Sequence, residues 1–104
     1  MFIELNGYKI SEESFPYFIA EIGINHNGSL QIAKKLIDAA NATGWNSVKF
    51  QKREPDIAVP DKQKNVMRDT PWGKISYLDY KKHIEFNKSD YDYIDKYCKE
   101  KPID

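Results

Sequence analysis

The sequence predicts an α/β fold in which parallel strands are joined by a helix and entered through a β-hairpin. Three observations predict it. Residues 18–24 and 47–51 are apolar runs of strand length, and the stretch between them repeats its apolar residues at helical spacing. Strand, helix and strand fall within about 35 residues, the size of a βαβ unit, whose crossover is right-handed. Each run also carries one charge, Glu21 in the first and Lys49 in the second. Opposite charges in neighbouring buried strands point to a site built at the ends of a parallel sheet.

Taken in order, residues 2–10 read as a hairpin. Phe2, Ile3, Leu5, Tyr8 and Ile10 flank Asn6-Gly7, the residue pair that tolerates the positive φ of a type I′ turn. Residues 1–15 are therefore set apart as a hairpin and link, with residues 16–104 as the body. In the first core strand Ala20 and Ile22 are expected to face one way, Glu21 and Gly23 the other. Gly23, placed in mid-strand, leaves room beside Glu21 for a ligand or another backbone. Asn27-Gly28 forms a turn and Ser29 an N-cap.

Residues 30–43 form the helix. Leu30, Ala33, Leu36, Ile37 and Ala40 share one face, and Gly44 stands where a left-handed C′ residue is expected. In the second strand Val48 and Phe50 share one face, Lys49 and Gln51 the other. Residues 52–75 read as a long irregular loop punctuated by Pro55, Pro60 and Pro71, and Trp72 and Arg68 favour an ordered one. Residues 76–86 and 89–99 read as helices. Ser89 and Asp92 are placed as the capping pair of the second, and Tyr91, Ile94 and Cys98 as its apolar stripe. Residues 101–104 read as the lead-in to a third strand.

Composition narrows the function classes. The chain has 104 residues, enough for one domain or part of one, with 16 basic and 16 acidic residues. Zero net charge argues against nucleic acid or an anionic membrane as the main partner, since both need a basic excess. The single cysteine, Cys98, cannot form a disulfide within the chain, so a reducing compartment is expected. No apolar run approaches the roughly 20 residues of a membrane span, and no basic leader opens the chain. A soluble cytoplasmic protein is expected.

Glu21 and Lys49 are the candidates for chemistry. A lone glutamate at a strand end is ordinarily solvated or paired with a lysine. An inward lysine in the adjacent strand changes that, because burying it is costly without a counter-charge or an anionic ligand. Lys49 would serve a phosphate or carboxylate. Glu21 would orient a hydroxyl or water, or move a proton. Gln51, one step further along, could hydrogen-bond a polyol. Asn25 and His26 read as shaping the loop, since a lone histidine in a turn is more often a structural hydrogen-bonder than a ligand. No cluster of histidine and cysteine has metal-ligand spacing.

The stretch Ala20-Glu21-Ile22-Gly23-Ile24-Asn25-His26-Asn27-Gly28-Ser29, followed by a helix and then Val48-Lys49-Phe50-Gln51, resembles the start of the sialic acid synthase family. That family includes N-acetylneuraminate, legionaminic acid and pseudaminic acid synthases. Arg68-Asp69-Thr70-Pro71-Trp72-Gly73, with Tyr77 and Glu85-Phe86, resembles one bacterial branch. The resemblance implies a (β/α)8 TIM barrel, of which residues 16–104 would supply the first two βα units, followed by a small antifreeze-like domain. It implies condensation of phosphoenolpyruvate with an N-acylated hexosamine such as N-acetylmannosamine, giving a nonulosonic acid and phosphate. It also implies a divalent metal, manganese or magnesium, whose ligands would lie beyond Asp104, and a homodimer. By position, Glu21 matches a catalytic glutamate, Lys49 a lysine that contacts phosphoenolpyruvate, and Gln51 a glutamine near the sugar. A barrel needs about 250 residues, so the chain is expected to be an N-terminal portion, inactive by itself. The rival readings are a legionaminic or pseudaminic acid synthase, and a non-catalytic module that binds an anionic metabolite or a partner protein.

Overall fold

Asn6 and Gly7 have φ of 46° and 84°, the left-handed pair that a type I′ turn requires. They join β1 (Ile3–Leu5) to β2 (Tyr8–Ile10), antiparallel, with Ile3 opposite Ile10 and Leu5 opposite Tyr8. The computed structural model describes residues 1–104.

The central unit is β3 (Ile19–Gly23), α1 (Leu30–Ala42) and β4 (Ser47–Phe50). Ser29 caps α1 by accepting from the Ile32 amide, and Gly44 follows the helix at φ 85°. The strands pair in parallel, Ile19 opposite Ser47 and Glu21 opposite Lys49. Gly23 departs from the mid-strand position expected of it. It ends β3 at φ 58°, pairs with Phe50, and the register shifts between Glu21 and Gly23. Only glycine enters that left-handed region without strain, so the strand can kink there.

One face of this strand pair carries the core. Ile22 joins Ala33, Ile37 and Ala40 of α1 with Phe86, Ile94, Cys98 and Ile103 in a single buried cluster, and Ala20, Val48, Phe50 and Tyr91 pack on it. The opposite face has no helix over it. The chain is elongated, 49 × 28 × 22 Å, with a radius of gyration of 16.8 Å against about 13 Å for a compact domain of this length; among the elements, the β1–β2 hairpin packs on no other. Main-chain bonds extend the sheet beyond β4: the Asp104 amide donates to the Asn46 carbonyl at 3.2 Å, and the Val48 amide donates to the Asp104 carbonyl at 2.8 Å. That is the parallel pattern centred on Ser47, as residues 101–104 are expected to begin.

Two further expectations are corrected. Residues 52–75 are not irregular throughout. They contain a short helix, α2 (Pro55–Ala58), then β5 (Met67–Thr70), antiparallel to β6 (Gly73–Ser76). The hairpin has almost no apolar alternation to betray it and rests on its turn. Thr70 Oγ1 donates to the Gly73 carbonyl at 2.7 Å and accepts from the Trp72 amide at 3.1 Å, with Gly73 at φ 93°. The second correction concerns α4 (Lys88–Glu100), which follows α3 (Tyr77–Ile84). Its N-cap is Asn87, not Ser89. The Asn87 side chain accepts from the Asp90 amide at 2.8 Å, and Asp90 accepts from the Asn87 amide at 2.9 Å. Asparagine caps as well as serine, and capping at Asn87 frees Asp92 to pair with Lys88 one turn away, at 2.7 Å. No helix is long and apolar enough to cross a membrane.

Candidate functional site

Glu21 and Lys49 face each other across the parallel register on the uncovered side of the sheet. Lys49 Nζ lies 3.1 Å from Glu21 Oε2, with the two side chains 63% and 44% exposed. The buried lysine expected from the sequence is therefore not found, because its partner strand pair has helices on only one face. An exposed pair of this kind contributes at most about 1 kcal/mol to stability, so stability does not account for it, and both groups are open to a ligand.

The kink at Gly23 shapes the space next to them. A Cβ there would stand 3.1 Å from Glu21 Oε1 and 3.5 Å from Gln51 Nε2. Gln51 itself is held from several sides. Its Nε2 points to Glu21 Oε1 at 3.5 Å, its Oε1 accepts from Arg53 Nη2 at 3.0 Å, and its main-chain carbonyl accepts from the Tyr91 hydroxyl at 3.0 Å. Glu21, Lys49 and Gln51 are thus brought together at the carboxyl ends of β3 and β4.

Asn25 and His26 are engaged within the loop after β3. Asn25 Nδ2 donates to the Ile22 carbonyl at 2.9 Å. His26 is 1% exposed and stacks on Phe86 with ring centres 3.9 Å apart. Its Nδ1 accepts from the Gly28 amide at 2.9 Å, which places the ring hydrogen on Nε2. Nε2 is buried without a partner. Burial pushes the imidazole below its ordinary pKa, and the Glu85 carboxylate pulls the other way more weakly. The sign follows. Below about pH 6.5 the unfolded chain takes up a proton at His26 more readily than the folded chain, so stability falls as pH drops through that range. Denaturant titrations between pH 7.5 and 5.5 are expected to show this loss, and a His26→Gln variant is expected to show a flatter profile.

Arg53 and Lys52 carry no role in the sequence reading, and Glu85 enters it only through the resemblance, with no contact assigned. Glu85 Oε1 accepts from the Arg53 amide at 3.2 Å and lies 3.3 Å from Lys52 Nζ. Their one visible signal is a charged run directly after a strand-end glutamine; the tie to Glu85, 32 residues on, is tertiary. Between α2 and α3 lies a small cavity of about 50 Å³, lined by Arg53, Val59, Tyr77, Lys81, Ile84 and Glu85 among others. No three histidine, cysteine, aspartate or glutamate side chains converge as metal ligands. The resemblance places the ligands of its divalent metal beyond Asp104, outside these residues.

The NeuB family profile matches residues 36–104, well over half of the sequence. The chain belongs to the NeuB family. Among the curated relatives of this NeuB-family chain is N-acetylneuraminate-9-phosphate synthase of Drosophila melanogaster, 38% identical over 94 residues, covering 85% of this chain and 24% of that protein. N,N'-diacetyllegionaminic acid synthase of Legionella pneumophila is 47% identical over 57 residues, covering 54% of this chain and 16% of that protein. The fold resembles that of N-acetylneuraminic acid (sialic acid) synthetase from Leptospira borgpetersenii, solved in complex with citrate. The TM-score is 0.80 at 25% identity, over 99% of this chain and 32% of that one. The NeuB-family chain thus spans about a quarter of the curated relative from Drosophila.

Proposed function

We propose that this chain is the amino-terminal part of a sialic acid synthase, a transferase that joins phosphoenolpyruvate to an N-acylated hexosamine such as N-acetylmannosamine. The observation that carries the reading is the Glu21–Lys49–Gln51 group on the open face at the strand ends. In the reaction C3 of phosphoenolpyruvate forms a bond to the aldehyde carbon of the sugar. Water adds at C2, and phosphate leaves with cleavage of its C–O bond. Lys49 supplies the fixed positive charge for the anionic substrate. Glu21 orients a hydroxyl or the water, or carries a proton. Gln51 hydrogen-bonds an oxygen of the sugar. No step through a metal is assigned to residues of this chain. In this reading residues 16–104 supply the first two βα units of a (β/α)8 barrel, residues 1–15 precede it, and the enzyme works in the cytoplasm as a homodimer.

The test uses the protein expressed from its complete coding sequence, incubated with phosphoenolpyruvate and N-acetylmannosamine. Phosphate release with formation of a nonulosonic acid is expected, and Glu21→Gln is expected to lower kcat more than it raises either KM. An unchanged kcat would return Glu21 to a structural role. The identity to the Legionella enzyme favours a second reading with the same chemistry and a different sugar, a hexose carrying two acetamido groups. Product analysis with each sugar separates the two. Phosphoenolpyruvate binding without turnover of any hexosamine would leave only the non-catalytic reading.

A further inference from the structure

The side-chain amide of Gln51 has two unlike ends, and its neighbours fix which end points where. Arg53 can only donate, so the atom that meets its Nη2 at 3.0 Å is the amide oxygen. Ionised Glu21 can only accept, so the atom turned to its Oε1, at 3.5 Å, is the amide nitrogen. The two neighbours agree on one orientation. Of the two contacts, the arginine's is the shorter, and it is the one that remains if Glu21 turns to a ligand. Arg53 is itself tethered, since its amide donates to the Glu85 carboxylate at 3.2 Å. The backbone of Gln51 is pinned separately by Tyr91.

We infer that Arg53 is a positioning residue that holds the Gln51 amide oxygen away from the site, so that Gln51 offers N–H donors beside Glu21. The inference rests on the proposed role of Gln51 at the sugar. It specifies what Gln51 recognises: an acceptor oxygen on the substrate, such as a carbonyl or a hydroxyl lone pair. Without Arg53 the Gln51 side chain keeps only the longer contact to Glu21, and once Glu21 turns to a ligand, ordering its three torsions falls to the substrate at binding.

The test is a kinetic double-mutant cycle in the protein from its complete coding sequence. Arg53→Ala is expected to raise KM for the hexosamine roughly tenfold, a typical loss for one oriented hydrogen bond, with KM for phosphoenolpyruvate and the melting temperature unchanged. Arg53→Lys, which keeps one donor and the charge, is expected to recover part of the loss. In a Gln51→Ala background, Arg53→Ala is expected to do nothing further. If Gln51→Ala raises the hexosamine KM and Arg53→Ala does not, the positioning role is wrong and the site reading stands. An Arg53→Ala effect that persists undiminished without Gln51 also overturns it. If Gln51→Ala leaves the hexosamine KM unchanged, both the role of Gln51 and that of Arg53 fall.

Discussion

A Gly28→Ala variant is expected to lose about 3 kcal/mol or more of folding stability, near the upper end for a single substitution. Two separate costs meet at this residue. Its φ is 76°, in the left-handed region, where a side chain costs roughly 1–2 kcal/mol. In addition, a Cβ would stand 2.2 Å from the His83 carbonyl oxygen. That oxygen belongs to the backbone of α3, so relief requires the β3–α1 turn and the end of α3 to move apart. Moving them disturbs the His26 ring between Gly28 and Phe86. Gly44 is the control. Its φ is 85°, and nothing lies within 4 Å of where its Cβ would be, so Gly44→Ala carries the conformational cost alone. Denaturant unfolding of both variants measures the difference. Equal losses would mean that α3 does not pack against this turn as described.

Lys49→Ala is expected to raise KM for phosphoenolpyruvate by about 30- to 150-fold, which corresponds to the roughly 2–3 kcal/mol of a hydrogen bond to a charged group. The fold should not suffer. Within these 104 residues the pair with Glu21 is exposed, so its loss costs this unit at most about 1 kcal/mol, and the melting temperature of the 104-residue chain should barely change. Steady-state kinetics with each substrate varied in turn separates the two effects. Wild-type KM for phosphoenolpyruvate in Lys49→Ala would remove Lys49 from the site. A matching rise in the hexosamine KM alone would assign the lysine to the sugar instead.

How far the sequence could be read depended on what kind of force shaped each part. The βαβ unit was legible because apolar burial sets its periodicity: Ala33, Ile37 and Ala40 repeat at helical spacing because they meet Ile22 and Ile94. The Asn6-Gly7 turn was legible because few residue pairs accept its backbone. The β5–β6 hairpin was not legible, because Thr70 and Gly73 hold it by local hydrogen bonds that leave no hydrophobic pattern. The start of α4 was misplaced by two residues because Asn87 and Ser89 are both good caps, and only the reciprocal bond to Asp90 decides between them. At the site, Glu21 and Lys49 stood out as charges inside apolar runs. Arg53 did not, since a charged residue in a polar loop is unremarkable until its contact with Gln51 is known.

The β5–β6 hairpin also bears on how this sequence can change over time. Its strands have no buried residue, and among the other elements they pack against α3 alone. Opening it therefore costs far less than unfolding the β3–α1–β4 unit. Substitutions in residues 67–75 are correspondingly cheap for this unit, provided Thr70 and Gly73 keep the turn and Ser76 stays as the cap of α3. Selection can thus rewrite this segment while the strand ends that carry Glu21, Lys49 and Gln51 stay as they are.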